Sequence, residues 1–266
     1  MKKQAIGIFD SGLGGLTILN ALRRALPHED LIYFGDTANV PYGSKSKETV
    51  TRFSMDIARF LETQGVKMII VACNTASALA LPQLRKACRV PVLGVIEPGA
   101  QKAAQTTKNG RIAVLGTEAT VKSCAYPKAI LKRLPNAKIT QRACALFVPL
   151  VEENWAKNPA TELVAKTYLS PVIASKSDTV ILGCTHYPVL KKVIARVLGP
   201  QVHLVDSAET LAQAATDFLQ AHHQAQTRGR GKLTIYASDD PARFKRLAGC
   251  LLSDKIGTVH LKKLNA

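Results

Sequence analysis

From end to end the chain alternates short runs of Val, Ile and Leu with longer stretches whose apolar residues recur at three and four positions. Runs that read as strands fall at 5–9, 31–35, 68–72, 92–95, 111–115, 137–142, 179–182, 202–205, 233–237 and 258–261. Between them, 17–26, 47–63, 119–134, 161–174 and 189–198 read as amphipathic helices, with Val50, Phe53, Ile57 and Leu61 marking the period of one. Such alternation argues for parallel sheets covered by helices on both faces. There is also an internal echo. The strand and turn at 8–12 resemble 114–117, and an apolar run ending at Cys73 resembles a later one ending at Cys184. The fold class expected is α/β: two similar doubly wound parallel-sheet domains with a site in the cleft between them. Residues 1–97 and 208–266 are assigned to a first, discontinuous domain and 98–207 to a second. The C-terminal third has too few strands to stand alone, and Pro98-Gly99, just after a strand, is a candidate hinge.

Composition narrows the function classes. At 266 residues the chain can bury a sizeable core, and no stretch approaches the roughly 20 apolar residues that span a bilayer. Asp10 interrupts the apolar run near the start and no cleavage-like site follows, so a cytoplasmic location is expected. Six cysteines without a CxxC pair disfavour structural zinc and a disulfide framework, and no metal site is expected. Cys88, Cys124, Cys144 and Cys250 read as small buried hydrophobes. The net charge of +17 favours anionic partners, but its Lys and Arg residues are scattered and no nucleic-acid-binding motif accompanies them. A solvated basic surface is the reading preferred over specific nucleic-acid binding.

Chemistry concentrates where strands end, because open α/β sheets bind ligands at their carboxyl ends. Cys73 is followed by Asn74-Thr75, and Cys184 by Thr185-His186. The turn Asp10-Ser11-Gly12-Leu13-Gly14-Gly15 could present backbone N–H groups to an anion or serve as a tight turn; it matches neither a dinucleotide nor a P-loop motif. The loop at 35–44 is polar, stiffened by Pro41, and offers the hydroxyls of Tyr42 and Ser44. A Cys-His hydrolase would use Cys184 with His186 but leave Cys73 without a role. A dithiol redox pair would need the Cα atoms within about 7 Å. Two thiols acting as acid and base on opposite faces of one carbon would explain their duplication, since a thiol pKa of about 8.5 permits either role.

Read together, FDSGLGG at 9–15, YFGDTANVPYG at 33–43, ACNTAS at 72–77, GVIEPG at 94–99, FVPLVEE at 147–153, GCTHYP at 183–188 and DSAE at 206–209 resemble the glutamate racemases of the aspartate/glutamate racemase family. The motifs span nearly the whole chain in the family's order. The resemblance implies a cofactor-independent isomerase interconverting L- and D-glutamate, with Cys73 the base towards D-glutamate and Cys184 towards L-glutamate. It implies that Asp10 assists Cys73, and that His186 and Glu152 assist Cys184. Asp10, Ser11, Pro41, Tyr42, Gly43, Asn74, Thr75, Thr117, Thr120, Thr185 and His186 would bind the substrate. It further implies a homodimer and a supply of D-glutamate for peptidoglycan, hence for cell wall and cell shape. Glu153-Asn154-Trp155 departs from the small residue expected after Glu152. The chain begins just before its first strand, so control through an activator-binding N-terminal extension is not expected. An aspartate racemase is the alternative within the family, disfavoured because His186 stands where aspartate racemases usually carry an acid. The alternative from another class is a basic nucleic-acid-binding protein with a secondary racemase site.

Overall fold

The computed structural model describes residues 4–251 and 256–264; the side chains of 250 and 251, and so the reading of Cys250, lie outside the described residues. The strands are β1 Ile6–Asp10, β2 Leu31–Gly35, β3 Met68–Val71, β4 Val92–Gly94, β5 Arg111–Gly116, β6 Lys138–Ala143, β7 Thr179–Gly183, β8 His203–Asp206, β9 Leu233–Ala237 and β10 Val259–Leu261. The helices are α1 Leu16–Ala25, α2 Lys47–Thr63, α3 Asn74–Leu79, α4 Leu81–Ala87, α5 Ile96–Thr106, α6 Glu118–Lys122, α7 Ala125–Leu131, α8 Phe147–Glu152, α9 Pro159–Ala174, α10 Lys191–Leu198, α11 Ser207–Ala221 and α12 Pro241–Leu251. One sheet runs β10-β9-β2-β1-β3-β4 and the other β6-β5-β7-β8, with every pairing parallel. The echo in the sequence is therefore an echo in topology. The order β2-β1-β3-β4 recurs as β6-β5-β7-β8, and each sheet has a switch point beside its central strand.

Alternating strand residues feed different cores, as period-2 geometry requires. Ile6, Ile8, Met68 and Ile70 of the first sheet join Ile112, Val114 and Ile181 of the second in one central core, with α1, α5, α7 and α11 between the sheets. Phe9, Ile69 and Val71 turn outward to a core with Val50, Ile57 and Leu61 of α2. Ala113, Leu115, Val180 and Leu182 turn outward to Ala165, Leu169 and Val172 of α9. The two sheets thus share a hydrophobic middle, which fixes how their carboxyl ends face each other.

The return of the chain to the first sheet is held at the opposite end. Lys67 Nζ lies 2.7 Å from Glu29 Oε2, both side chains being buried, and donates to Gln224 O at 2.7 Å. Glu29 Oε1 accepts from Gln226 N at 2.8 Å. This pins the segment between α11 and β9, and β9 then pairs with β2.

The structure departs from the sequence expectation in two places. The helix expected over 119–134 is two helices, broken at Cys124, whose φ of 54° is left-handed. Pro127 explains the break: in a continuous helix its ring would meet the carbonyl of Ser123, whereas in the first turn of α7 its missing N–H costs nothing. Cys124 is consequently exposed rather than buried, and Cys88 is only partly covered, while Cys144 is buried as expected. Pro98 and Gly99, the candidate hinge, lie in the first turn of α5, where proline is tolerated for the same reason. Among the described residues no helix is long and apolar enough to cross a membrane.

Candidate active site

The loops leaving β1, β2 and β3 meet those leaving β5, β6 and β7 around a cavity of about 320 Å³. From the first sheet come Ser11, Pro41, Tyr42, Gly43, Cys73, Asn74 and Thr75; from the second come Thr117, Glu152, Cys184, Thr185 and His186. The two cysteines therefore enter one cavity from different sheets, each following the strand beside its sheet's centre.

Cys73 caps α3. Its sulfur accepts from Ala76 N at 3.5 Å and lies 3.8 Å from Ser11 Oγ. Burial, reinforced by the nearby Asp10 carboxylate, pushes its thiol up to about 12. The sulfur of Cys184 lies 3.8 Å from His186 Nδ1, and the far ring nitrogen, Nε2, lies 3.1 Å from Glu152 Oε1. Burial disfavours the His186 imidazolium, but Cys184 and Glu152 outweigh it and hold the ring protonated up to about 10. The two thiols thus sit in opposite electrostatic settings, a carboxylate beside one and a paired imidazolium beside the other.

Asp10 lies beneath the cavity, fully buried. Its carboxylate accepts from Gly12 N at 3.0 Å and from Thr185 Oγ1 at 3.3 Å. Burial raises its pKa, against the pull of His186 and these donors. The glycine-rich turn thus spends an N–H on its own carboxylate. Its glycines permit close approach: a Cβ on Gly15 would lie 2.4 Å from that of Asp10.

Hydroxyls and amides line the cleft between the sheets. Thr75 Oγ1 lies 2.9 Å from Thr117 Oγ1 and 3.3 Å from Thr120 Oγ1, and the latter two are 3.0 Å apart. Thr120 reaches the cavity only through this cluster. Tyr126, which the α6–α7 break places here, donates to Asn74 Oδ1 at 2.7 Å. The buried Asn74 Nδ2 has no hydrogen-bond partner, so a donor of the cavity wall is left for a ligand acceptor. Tyr42 differs from its sequence reading. Its hydroxyl donates to Asp36 Oδ2 at 2.5 Å, so it is already engaged, while Ser44 of the same loop also lines the cavity. Val40, Glu118, Ala145, Val148 and Pro149 also line the cavity and were not anticipated, although FVPLVEE contains two of them.

Two α/β domains that each bring a thiol to one cleft form the framework of an enzyme acting on a small molecule. The chain belongs to the Asp/Glu/Hydantoin racemase family, whose model matches residues 16–215. A glutamate racemase of Geobacter metallireducens is 51% identical over 267 residues, covering 100% of this chain and 99% of that protein. The crystal structure of a glutamate racemase from Bacillus anthracis superposes with a TM-score of 0.96 at 36% identity, covering 99% of each chain. That of a glutamate racemase from Francisella tularensis, in complex with D-glutamate, superposes at 0.94 with 37% identity, covering 100% of this chain and 99% of that one. An aspartate racemase of Picrophilus torridus, at 19% identity and a TM-score of 0.59, shares the fold alone.

Proposed function

We propose that the protein interconverts L- and D-glutamate by moving the α-proton between Cys73 and Cys184. The observation that carries this reading is the entry of the two thiols into one cavity from different sheets. Substrate held by Asn74, Thr75, Thr117, Thr185, Ser11 and the 41–43 loop would have its α-carbon between them. From L-glutamate, Cys184 takes the α-proton, with the His186–Glu152 pair beside it. Cys73, which burial keeps protonated up to about 12, gives its proton to the opposite face. The reverse direction exchanges the roles. The α-proton is weakly acidic, so preorganised donors and exclusion of water must stabilise the carbanion-like transition state. Closure of the domains on substrate serves that exclusion.

On this reading the product supplies peptidoglycan synthesis in the cytoplasm, the working unit is a homodimer, and the +17 charge is a solvated surface rather than a nucleic-acid site. The domains divide at 97/98 and 207/208. The test is incubation with L-glutamate in D₂O without added pyridoxal phosphate, following optical rotation and α-deuterium by NMR, with L-aspartate in parallel. Loss of rotation with α-deuteration of glutamate is expected; inertness towards glutamate would overturn the reading, and faster turnover of aspartate would replace its substrate.

A further inference from the structure

The loop after β2 supplies Pro41, Tyr42 and Gly43 to the cavity wall, yet only two single 3₁₀ turns, Thr37–Asn39 and Tyr42–Ser44, give it regular structure. Its anchor lies outside the cavity. Asp36, 2% exposed at the carboxyl end of β2, accepts three donors through its carboxylate: Tyr42 OH at 2.5 Å, Asn39 Nδ2 at 3.0 Å and Ser238 Oγ at 2.8 Å. Ser238, 5% exposed, follows β9 on the neighbouring strand, and its oxygen accepts in turn from Ala38 N at 2.8 Å. The adjoining residue extends the join: Thr37 Oγ1 donates to Asp239 O at 2.6 Å and accepts from Asp239 N at 2.9 Å.

These contacts link residues 202 apart in sequence and leave the Asp36 carboxylate occupied by neutral donors. Such a group is a geometric node rather than an acid or base. It holds the Tyr42 hydroxyl, so the position of the backbone at 41–43 depends on where Asp36 and Ser238 stand. At the loop's tip the fit is tight, since a Cβ on Gly43 would lie 2.7 Å from that of Thr117 across the cleft. We propose that Asp36 and Ser238 are positioning residues, a clamp by which the β9 end of the chain sets the substrate-binding loop. The role in affinity rests on the glutamate reading above; the clamp itself does not.

Ser238→Ala and Asn39→Ala each remove one donor to the Asp36 carboxylate, at residues outside the cavity wall and without touching either thiol. Losing a buried hydrogen bond corresponds to about a tenfold change in an equilibrium. The expected result is therefore a KM for both glutamate enantiomers raised about tenfold, with kcat changed less than about twofold, the mark of lost uniform binding. Hydrogen exchange read by mass spectrometry should be about tenfold faster across 37–44 in both variants, with β1 unchanged. A fall in kcat with KM untouched, or exchange across 37–44 at the wild-type rate, would overturn the clamp. A wild type that does not racemise glutamate would overturn the functional reading instead, and the exchange measurement would still decide the clamp.

Discussion

Gly14 has no room for a side chain against His186: a Cβ there would lie 2.5 Å from Nδ1 of the imidazole and 2.3 Å from Thr185 Oγ1. The turn after β1 of one sheet is thereby fitted directly to the Cys184–His186 loop after β7 of the other. Thr17 strengthens the join, donating to Gly14 O at 2.9 Å and lying 3.2 Å from Thr185 O. The ring that faces Cys184 takes its place partly from an absent methyl group.

Gly14→Ala should therefore lose activity out of proportion to stability. A displacement of about 1 Å at a reacting group can cost about a hundredfold in rate. Steady-state racemisation beside thermal unfolding checks this; a variant with near wild-type kcat would show that the loop yields without consequence.

The alkaline limb of stability should report His186. An ordinary imidazole loses its proton near 6.5, whereas here it is held up to about 10. A raised value in the folded state means a contribution fully present below about 6.5 and lost as pH climbs through about 10. The difference in Tm between wild type and His186→Asn should narrow across that window. A constant difference from pH 6.5 to 10 would contradict the buried imidazolium.

Thr117→Val should destabilise the fold by about 1–2 kcal/mol, since it removes both a helix cap and a buried hydroxyl contact. Thr117 Oγ1 accepts from Thr120 N at 3.2 Å and meets Thr75 across the cleft. Urea unfolding measures the loss, and a value within error of zero would exclude both contributions.

Away from the cavity, Lys67→Met should cost more, about 3–5 kcal/mol, because Glu29 would remain buried without its partner. Adding Glu29→Gln should restore part of it. Denaturant midpoints of the single and double variants test this, and a neutral single variant would contradict the ion pair's role in fastening the α11–β9 segment.

Much of this architecture was legible because strands buried on both faces, such as β1, β3 and β7, are written as plain apolar runs, and each of the runs read as a strand holds one. The ends of those runs located Cys73 and Cys184. What escaped the sequence depends on distance in three dimensions. Nothing near Asp36 announces Ser238 as its partner, and Tyr42 reads as a free hydroxyl until that partner is in place. Gly14 and Gly15 read equally well as an anion turn, and only the packing of His186 and Asp10 against them shows that space is what they supply. The break at Cys124 was hidden because the helical period continues across it, although Pro127 was the available signal. Val148 and Pro149 look like core positions, and it is the short helix α8 that brings them to the cavity.

If two thiols act on opposite faces of one carbon, neither is dispensable, and racemisation by Cys73→Ser and Cys184→Ser, started from each enantiomer in D₂O, measures this. General acid–base groups contribute about 10²–10⁴ in rate, so either substitution should slow racemisation at least about a hundredfold in both directions. A variant that keeps the wild-type rate in either direction would show that one thiol is dispensable and would contradict the two-thiol account.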